Sequence, residues 1–174
     1  MSALIYIIQT LLRLALYVVL LRLFLQWSRA DFRNPICQAI VRLTNPLIVP
    51  LRRILPPVGK VDTASVVAVI LVAIVEMVIV TSLAGISLDP LLVLRAAALE
   101  ILSTTLWLYF YAIFLYALLS MVAPGGYTPL HSLLTALCEP VLAPFRRFIP
   151  PLGGIDLSPL WACILIQAVL ILLR

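Results

Sequence analysis

Residues 45–62 read NPLIVPLRRILPPVGKVD, and residues 139–156 read EPVLAPFRRFIPPLGGID. From the first proline to the final aspartate, eight of seventeen positions are identical, including every proline, both arginines, the first glycine and the aspartate. In the first copy these positions are Pro46, Pro50, Arg52, Arg53, Pro56, Pro57, Gly59 and Asp62. In the second copy they are Pro140, Pro144, Arg146, Arg147, Pro150, Pro151, Gly153 and Asp156.

The same offset matches residues outside the two segments. The matched pairs are Tyr17 and Tyr111, Leu21 and Leu115, Pro35 and Pro129, Leu43 and Leu137, and Ala68 and Ala162. One register without insertions predicts an internal duplication. We therefore predict a first repeat over residues 1–86 and a second over residues 87–174, each with two membrane spans.

The composition is that of a polytopic membrane protein. Hydrophobic residues make up 64% of the 174 positions and charged residues 11%, whereas a soluble domain carries about 25% charged residues. The net charge of +5 lies in a few loops, which indicates membrane orientation rather than nucleic-acid binding. We expect the first apolar run to act as an uncleaved signal anchor and the three cysteines to be free thiols.

Four apolar segments have the length expected of spans, at residues 3–27, 63–84, 90–122 and 156–174. Asp62 and Asp156 stand where the second and fourth spans begin. Their carboxylates are expected to cap those helices, and coordination of a cation is the alternative.

A short amphipathic helix is predicted ahead of each proline segment. Asn34 and Pro35 are suited to begin the first one, which would run to residue 43 and lie in the membrane interface. Residues 128–137 form the second copy. Because Pro46 and Pro50 are four positions apart, we expect an irregular proline-rich hairpin to follow, not a continued helix.

Two spans in each repeat predict that the repeats are parallel. Basic residues concentrate in the links after the first and third spans, at Arg29, Arg33, Arg42, Arg52, Arg53, Lys60, Arg146 and Arg147. The positive-inside rule then predicts cytoplasmic hairpins and external termini. Arg22, near the end of the first span, is expected to snorkel to the headgroups.

The duplicated pattern Pro-x-Arg-Arg-x-x-Pro-Pro-x-Gly, each copy between apolar spans, resembles the YggT family of bacterial membrane proteins. The resemblance covers nearly the whole chain as two repeats. It implies an integral protein of the bacterial inner (plasma) membrane, associated with osmotic tolerance, ion homeostasis and envelope organisation. It implies no established catalytic chemistry. Glu139 stands where the first copy has Asn45, so the two side chains are not expected to share one role.

The arginine pairs, Arg52-Arg53 and Arg146-Arg147, have two interpretations. One is membrane orientation with snorkelling to lipid phosphates. The other is a docking site for anionic headgroups or an acidic partner segment, because guanidinium binds phosphate and carboxylate through two hydrogen bonds.

Arg13 and Glu76 lie within predicted spans and form a candidate intramembrane ion pair. Trp107 and Leu170 occupy the matching positions of the second repeat. This asymmetry favours a structural bridge over a duplicated ion path.

The sequence as a whole predicts an all-α membrane protein with four spans in two parallel repeats, each with an amphipathic helix and a proline hairpin. We predict a non-enzymatic scaffold or assembly factor in osmotic-stress or envelope homeostasis, and an ion channel or transporter component is the alternative. No catalytic, cofactor or metal site is expected. Expected partners are membrane lipids and a protein partner or second copy, without nucleic acid.

Overall fold

The computed structural model describes residues 3–56, 62–86, 89–122, 128–148 and 156–173. Within these ranges the chain is all-helical, without strands. The six helices are α1 (Ala3–Trp27), α2 (Pro35–Ile54), α3 (Thr63–Leu83), α4 (Pro90–Val122), α5 (Pro129–Phe148) and α6 (Ser158–Leu172). Predicted signature residues Pro57, Gly59, Pro150, Pro151 and Gly153 lie outside the described residues.

Three of the helices, α1, α3 and α4, are long and apolar enough to cross a membrane. This confirms the prediction of a helical membrane protein. The fourth predicted span corresponds to α6, an apolar helix of 15 residues. At 1.5 Å per residue its described part is about 22 Å long, shorter than a hydrocarbon core of about 30 Å.

Local polar side chains begin three of the helices, including the one predicted to start at Asn34. The side-chain oxygens of Asn34 and Asp89 each accept a hydrogen bond, at 2.9 Å, from the backbone N–H two positions later. The Thr128 hydroxyl accepts one from the backbone N–H of His131 at 3.2 Å. Each bond satisfies a donor that a helix start leaves without an intrahelical partner.

The predicted break at the prolines is wrong. Helix α2 continues through Pro46 and Pro50, and α5 continues through Pro140 and Pro144. The Pro-x-Arg-Arg half of the expected hairpin is therefore the last turns of a 20-residue helix in each repeat.

Packing on the opposite face explains why these helices continue. All four prolines are exposed, so the missing N–H groups and the bulky rings lie on the outer surface of each helix. Buried residues recur at helical spacing on the other face of α2, at Cys37, Ile40, Thr44 and Ile48. Helix α5 buries Leu133, Leu134, Leu137, Cys138 and Leu142. Burial of that face outweighs the local cost of proline.

The chain divides into two compact units that differ from the sequence repeats. The first comprises Met1–Leu23 and Ile40–Thr105, and the second comprises Phe24–Ala39 and Leu106–Arg174. In the first unit, α3 buries a row of small residues, including Ala64, Ala68 and Ala73. Small side chains let helices of a membrane protein approach closely. In the second unit, the fully buried residues include Ile113, Leu137 and Leu142.

Candidate functional site

In the first unit, Arg52 connects the end of α2 to the start of α3. Its Nη2 lies 2.5 Å from Oδ2 of Asp62, and its Nε lies 3.2 Å from the same oxygen. The Ser65 hydroxyl donates to that oxygen at 2.7 Å. Asp62 is the predicted N-cap residue of α3, but its side chain does not bond to the backbone of that helix. The N-cap position of Asp62 is therefore as predicted, but the expected side-chain hydrogen bond is not formed, because Arg52 and Ser65 bind the carboxylate instead.

In the second unit, Arg146 makes the matching connection. Its Nε donates to Oδ2 of Asp156 at 2.8 Å, and its Nη1 donates to both carboxylate oxygens of Glu139 at 2.7 and 2.8 Å. Its Nη2 donates to the Tyr116 hydroxyl at 3.3 Å. Asp156 also accepts a hydrogen bond from the backbone N–H of Ser158, the first residue of α6, at 2.9 Å. The N-cap residue of α6 is Leu157, so the prediction that Asp156 caps this helix is wrong by one position.

Both aspartates are held ionised by these contacts. Burial alone would raise the pKa of Asp62, but hydrogen bonds from Arg52 and Ser65 outweigh burial and lower it. Burial likewise opposes ionisation of Asp156, but bonds from Ser158 and Arg146 lower its pKa. Burial would lower the pKa of Arg146, but its bonds to Asp156, Tyr116 and Glu139 raise it. We name these two ion-paired clusters the arginine–aspartate braces.

The second arginine of each pair is placed differently. Arg53 and Arg147 are exposed and make no hydrogen bond or ion pair with the residues that the structure describes. A bulky apolar residue follows each one: Ile54 is 77% exposed and Phe148 is 85% exposed. Each repeat therefore presents a free guanidinium beside an exposed apolar side chain, and we name these the arginine–apolar tips.

Arg22 is the residue that sequence reasoning placed wrongly. It is only 4% exposed, so it does not snorkel. Its Nη1 donates to the Thr44 hydroxyl at 2.6 Å and to Oδ1 of Asn45 at 3.0 Å. These bonds hold α2 at the two residues directly before Pro46. Tyr116 is at the position of the second repeat that matches Arg22, and its hydroxyl accepts a hydrogen bond from Arg146. Asn45, which Arg22 contacts, is replaced in that repeat by Glu139.

Three charged residues meet inside the first unit, one from each candidate span. Arg13 of α1 lies 2.6 Å from Glu100 of α4, between Nη2 and Oε1. Its Nε lies 3.8 Å from Oε1 of Glu76 on α3. The Thr104 hydroxyl donates to Glu100 at 3.3 Å. The sequence predicted the pairing of Arg13 with Glu76 but did not indicate Glu100, because sequence periodicity does not show which helix faces meet.

An open apolar groove of about 370 Å³ lies between α3 and α4. Its lining residues are Ile74, Val78, Pro90, Val93 and Leu94. These side chains carry no polar group to orient a polar ligand. In the described part of the chain, no group of three histidine, cysteine or acidic residues is arranged to hold a metal ion, and all three cysteines are free, as predicted.

Apolar span-length helices and a duplicated proline–arginine unit define a helical integral membrane protein. The CCB3/YggT family model matches residues 1–83 and 96–174. The chain belongs to the CCB3/YggT family. The two matched segments agree with the predicted duplication.

Relatives of similar length are found in several bacteria. An uncharacterized protein of Pseudomonas aeruginosa is 44% identical over 97% of this chain and 86% of its own length. The YggT protein of Escherichia coli K12 is 32% identical over 97% of this chain and 88% of its own length. A chloroplastic YlmG homolog of Arabidopsis thaliana shares 57% identity over 35 residues, which is 20% of this chain and 14% of that protein. No solved structure gives a significant match.

Proposed function

We propose that this chain is a non-enzymatic scaffold of the bacterial inner membrane that presents two arginine–apolar tips to anionic phospholipids. In this proposal it acts in osmotic-stress or envelope homeostasis. The observation that carries the proposal is that the two arginines of each pair have different contacts. Arg52 and Arg146 form the ion pairs of the braces, whereas Arg53 and Arg147 are exposed and make no ion pair with the described residues.

The chemistry of the tips suits a lipid surface. A guanidinium binds a phosphate through two hydrogen bonds, and an exposed apolar side chain such as Phe148 enters the acyl region beside it. Because the brace fixes the neighbouring arginine, the tip loses little conformational entropy on binding. The same construction in both repeats gives two lipid contacts for one chain.

In the proposed topology, α6 is a fourth span that is matched to α3 by the internal duplication. Both tips then face the cytoplasm, because the basic residues concentrate in the links that carry them. The cytoplasmic leaflet has a negative surface potential that attracts such residues by about 1 kcal/mol each. A protein partner with an acidic segment, or a second copy of the chain, would bind at the same guanidinium groups.

Lipids retained during purification test this proposal. We expect native mass spectrometry in mild detergent to detect phosphatidylglycerol or cardiolipin on the wild-type protein. An Arg53→Ala/Arg147→Ala variant should lose most of this lipid, and the matched control Arg95→Ala should retain it, since Arg95 is exposed near the opposite end of the spans. Equal lipid retention by all three proteins would overturn the proposal.

Physiology supplies a second test. A strain without the gene should recover more slowly from osmotic upshift, and the wild-type gene should restore recovery. The Arg53→Ala/Arg147→Ala gene should fail to do so at equal protein abundance in the membrane. Full complementation by that variant would contradict the role of the tips in homeostasis.

A component of an ion channel or transporter is the second candidate, and one observation favours it. Arg13, Glu76 and Glu100 place charge inside three helices that can span the membrane, where charged residues often mark ion pathways. Potassium or sodium flux in proteoliposomes, altered by Arg13→Leu, would support transport. Flux equal to that of empty vesicles under either gradient would count against autonomous transport.

A further inference from the structure

We propose that the Arg13–Glu76–Glu100 cluster is a proton-binding site, in which Glu76 holds a proton within the membrane. This inference concerns a different part of the chain from the arginine–apolar tips, so it does not depend on the proposed scaffold function. It follows from the charge balance and the hydrogen bonds of the cluster.

The donors in the cluster are directed to one of its two carboxylates. Oε1 of Glu100 lies 2.6 Å from Nη2 of Arg13 and accepts a hydrogen bond from the Thr104 hydroxyl at 3.3 Å. Glu76 receives no hydrogen bond from the described residues, although its side chain is 0% exposed. The nearest cationic atom, Nε of Arg13, lies 3.8 Å away, beyond hydrogen-bond distance. The ionic partner of Arg13 is therefore Glu100.

The charges do not balance when both carboxylates are ionised. One guanidinium and two carboxylates leave one uncompensated negative charge, and the Glu76 side chain, which receives no hydrogen bond, is completely buried. A buried ionised carboxylate without donors is strongly disfavoured. One proton makes the cluster neutral. The proton belongs on Glu76, because the other carboxylate already has a cation and a hydroxyl as partners.

The position of the cluster separates it from bulk water. Glu76 lies seven positions before the end of α3, and Glu100 lies ten positions after the start of α4. These spacings correspond to about 10 and 15 Å of helix. Arg13 is ten positions from the start of α1. All three residues therefore lie about two helical turns or more from the ends of their helices.

Labelling with dicyclohexylcarbodiimide tests the proposal. The O–H of a protonated carboxyl adds across one C=N bond of this apolar reagent, and rearrangement to a stable N-acylurea retains every atom of both molecules. We expect intact-mass analysis of the purified protein to show one adduct, which peptide mapping places on Glu76. The labelled fraction should fall as the pH is raised between about pH 5 and pH 9. Absence of an adduct on Glu76 at low pH would overturn the proposal.

Two variants should move that pH profile in opposite directions. Arg13→Leu removes the positive charge that faces Glu76, so labelling of Glu76 should persist to higher pH. Glu100→Gln removes the carboxylate that competes for Arg13, so the guanidinium can pair with ionised Glu76. Labelling of Glu76 should then decline at a lower pH than in wild type. The matched control Asp31→Asn, at an exposed carboxylate outside the cluster and the braces, should leave the profile unchanged. Profiles of Arg13→Leu and Glu100→Gln that coincide with wild type would refute a proton shared in this cluster.

Sodium provides the remaining comparison. If the site instead holds a sodium ion, sodium chloride should protect Glu76 from labelling when potassium chloride at equal ionic strength does not. That result would also overturn the proposal. Equal labelling in both salts is the expected outcome. Size-exclusion elution of each variant as a single monodisperse peak ensures that the profiles describe folded protein.

Discussion

The guanidinium of Arg13 lies 2.6 Å from the carboxylate of Glu100, whereas its nearest approach to Glu76 is 3.8 Å. The bond joins α1 to α4, and Thr104 supports it from the same helix as Glu100. This relationship makes Glu100 the structural partner of the arginine.

A double-mutant cycle should detect that pairing. We expect Arg13→Leu and Glu100→Gln each to lower the thermal midpoint in detergent, because each removes the ion pair that joins α1 to α4. The double variant should be more stable than the two single losses added together, with a coupling of about 0.5–3 kcal/mol. Additive losses would show that the two side chains do not interact.

The contacts of Arg22 predict that its removal destabilises α2. Arg22→Leu removes the donors to Thr44 and Asn45 from a buried position. We expect a cost of about 1.5–3 kcal/mol, and faster amide hydrogen exchange in residues 41–48. Arg29→Leu, a change outside this contact, is the control. Unchanged exchange in α2 of Arg22→Leu would contradict this function of Arg22.

Several parts of this fold could be predicted from the sequence. The limits of α1 and α4 agree with the apolar segments, and Asn34, Asp89 and Thr128 begin helices through hydrogen bonds that depend on residues only two or three positions away. The duplication also follows from residue identities alone. These features are local or periodic, so a single sequence contains the information that determines them.

Other features depend on contacts between distant residues. The continuation of α2 through Pro46 and Pro50 depends on which helix face is buried. The partner of Arg52 is ten positions away, and the partners of Arg22 and Arg13 lie on other helices. A repeat comparison nevertheless contained one useful signal: an arginine and an aspartate recur ten positions apart in both copies.

The exposed prolines predict a stabilising substitution. Pro50→Ala restores a backbone N–H in the interior of α2, where proline is about 3 kcal/mol less favourable than alanine. Alanine also leaves the unfolded chain more conformational freedom than proline does, and this offsets about 0.4–1 kcal/mol of the gain. We expect a higher thermal midpoint, and the same for Pro144→Ala in α5. A lower midpoint in both variants would indicate that the prolines are needed for a bend or a contact.

The aspartates of the two braces predict acid sensitivity. In the folded chain the pKa values of both aspartates are lowered. Protons therefore bind these two carboxylates more readily in the unfolded chain than in the folded chain. Their stabilisation is complete above an unfolded pKa of about 3.9 and is lost as the pH falls through the folded value. The thermal midpoint of Asp62→Asn should therefore fall less than that of wild type below about pH 4. Asp31→Asn should behave as wild type, and an unchanged acid response in Asp62→Asn would contradict the prediction.

The central claim is that the two arginines of a pair act differently, and the thermal midpoint with and without phosphatidylglycerol tests it most directly. Arg52→Ala should lower the midpoint in detergent by roughly 5–10 °C, because it leaves the buried Asp62 without its cation. It should still be stabilised by the lipid. Arg53→Ala should keep the wild-type midpoint in detergent and lose most of the lipid-dependent increase. The claim is contradicted if both variants lose the lipid response equally, or if Arg53→Ala is destabilised as much as Arg52→Ala before lipid is added.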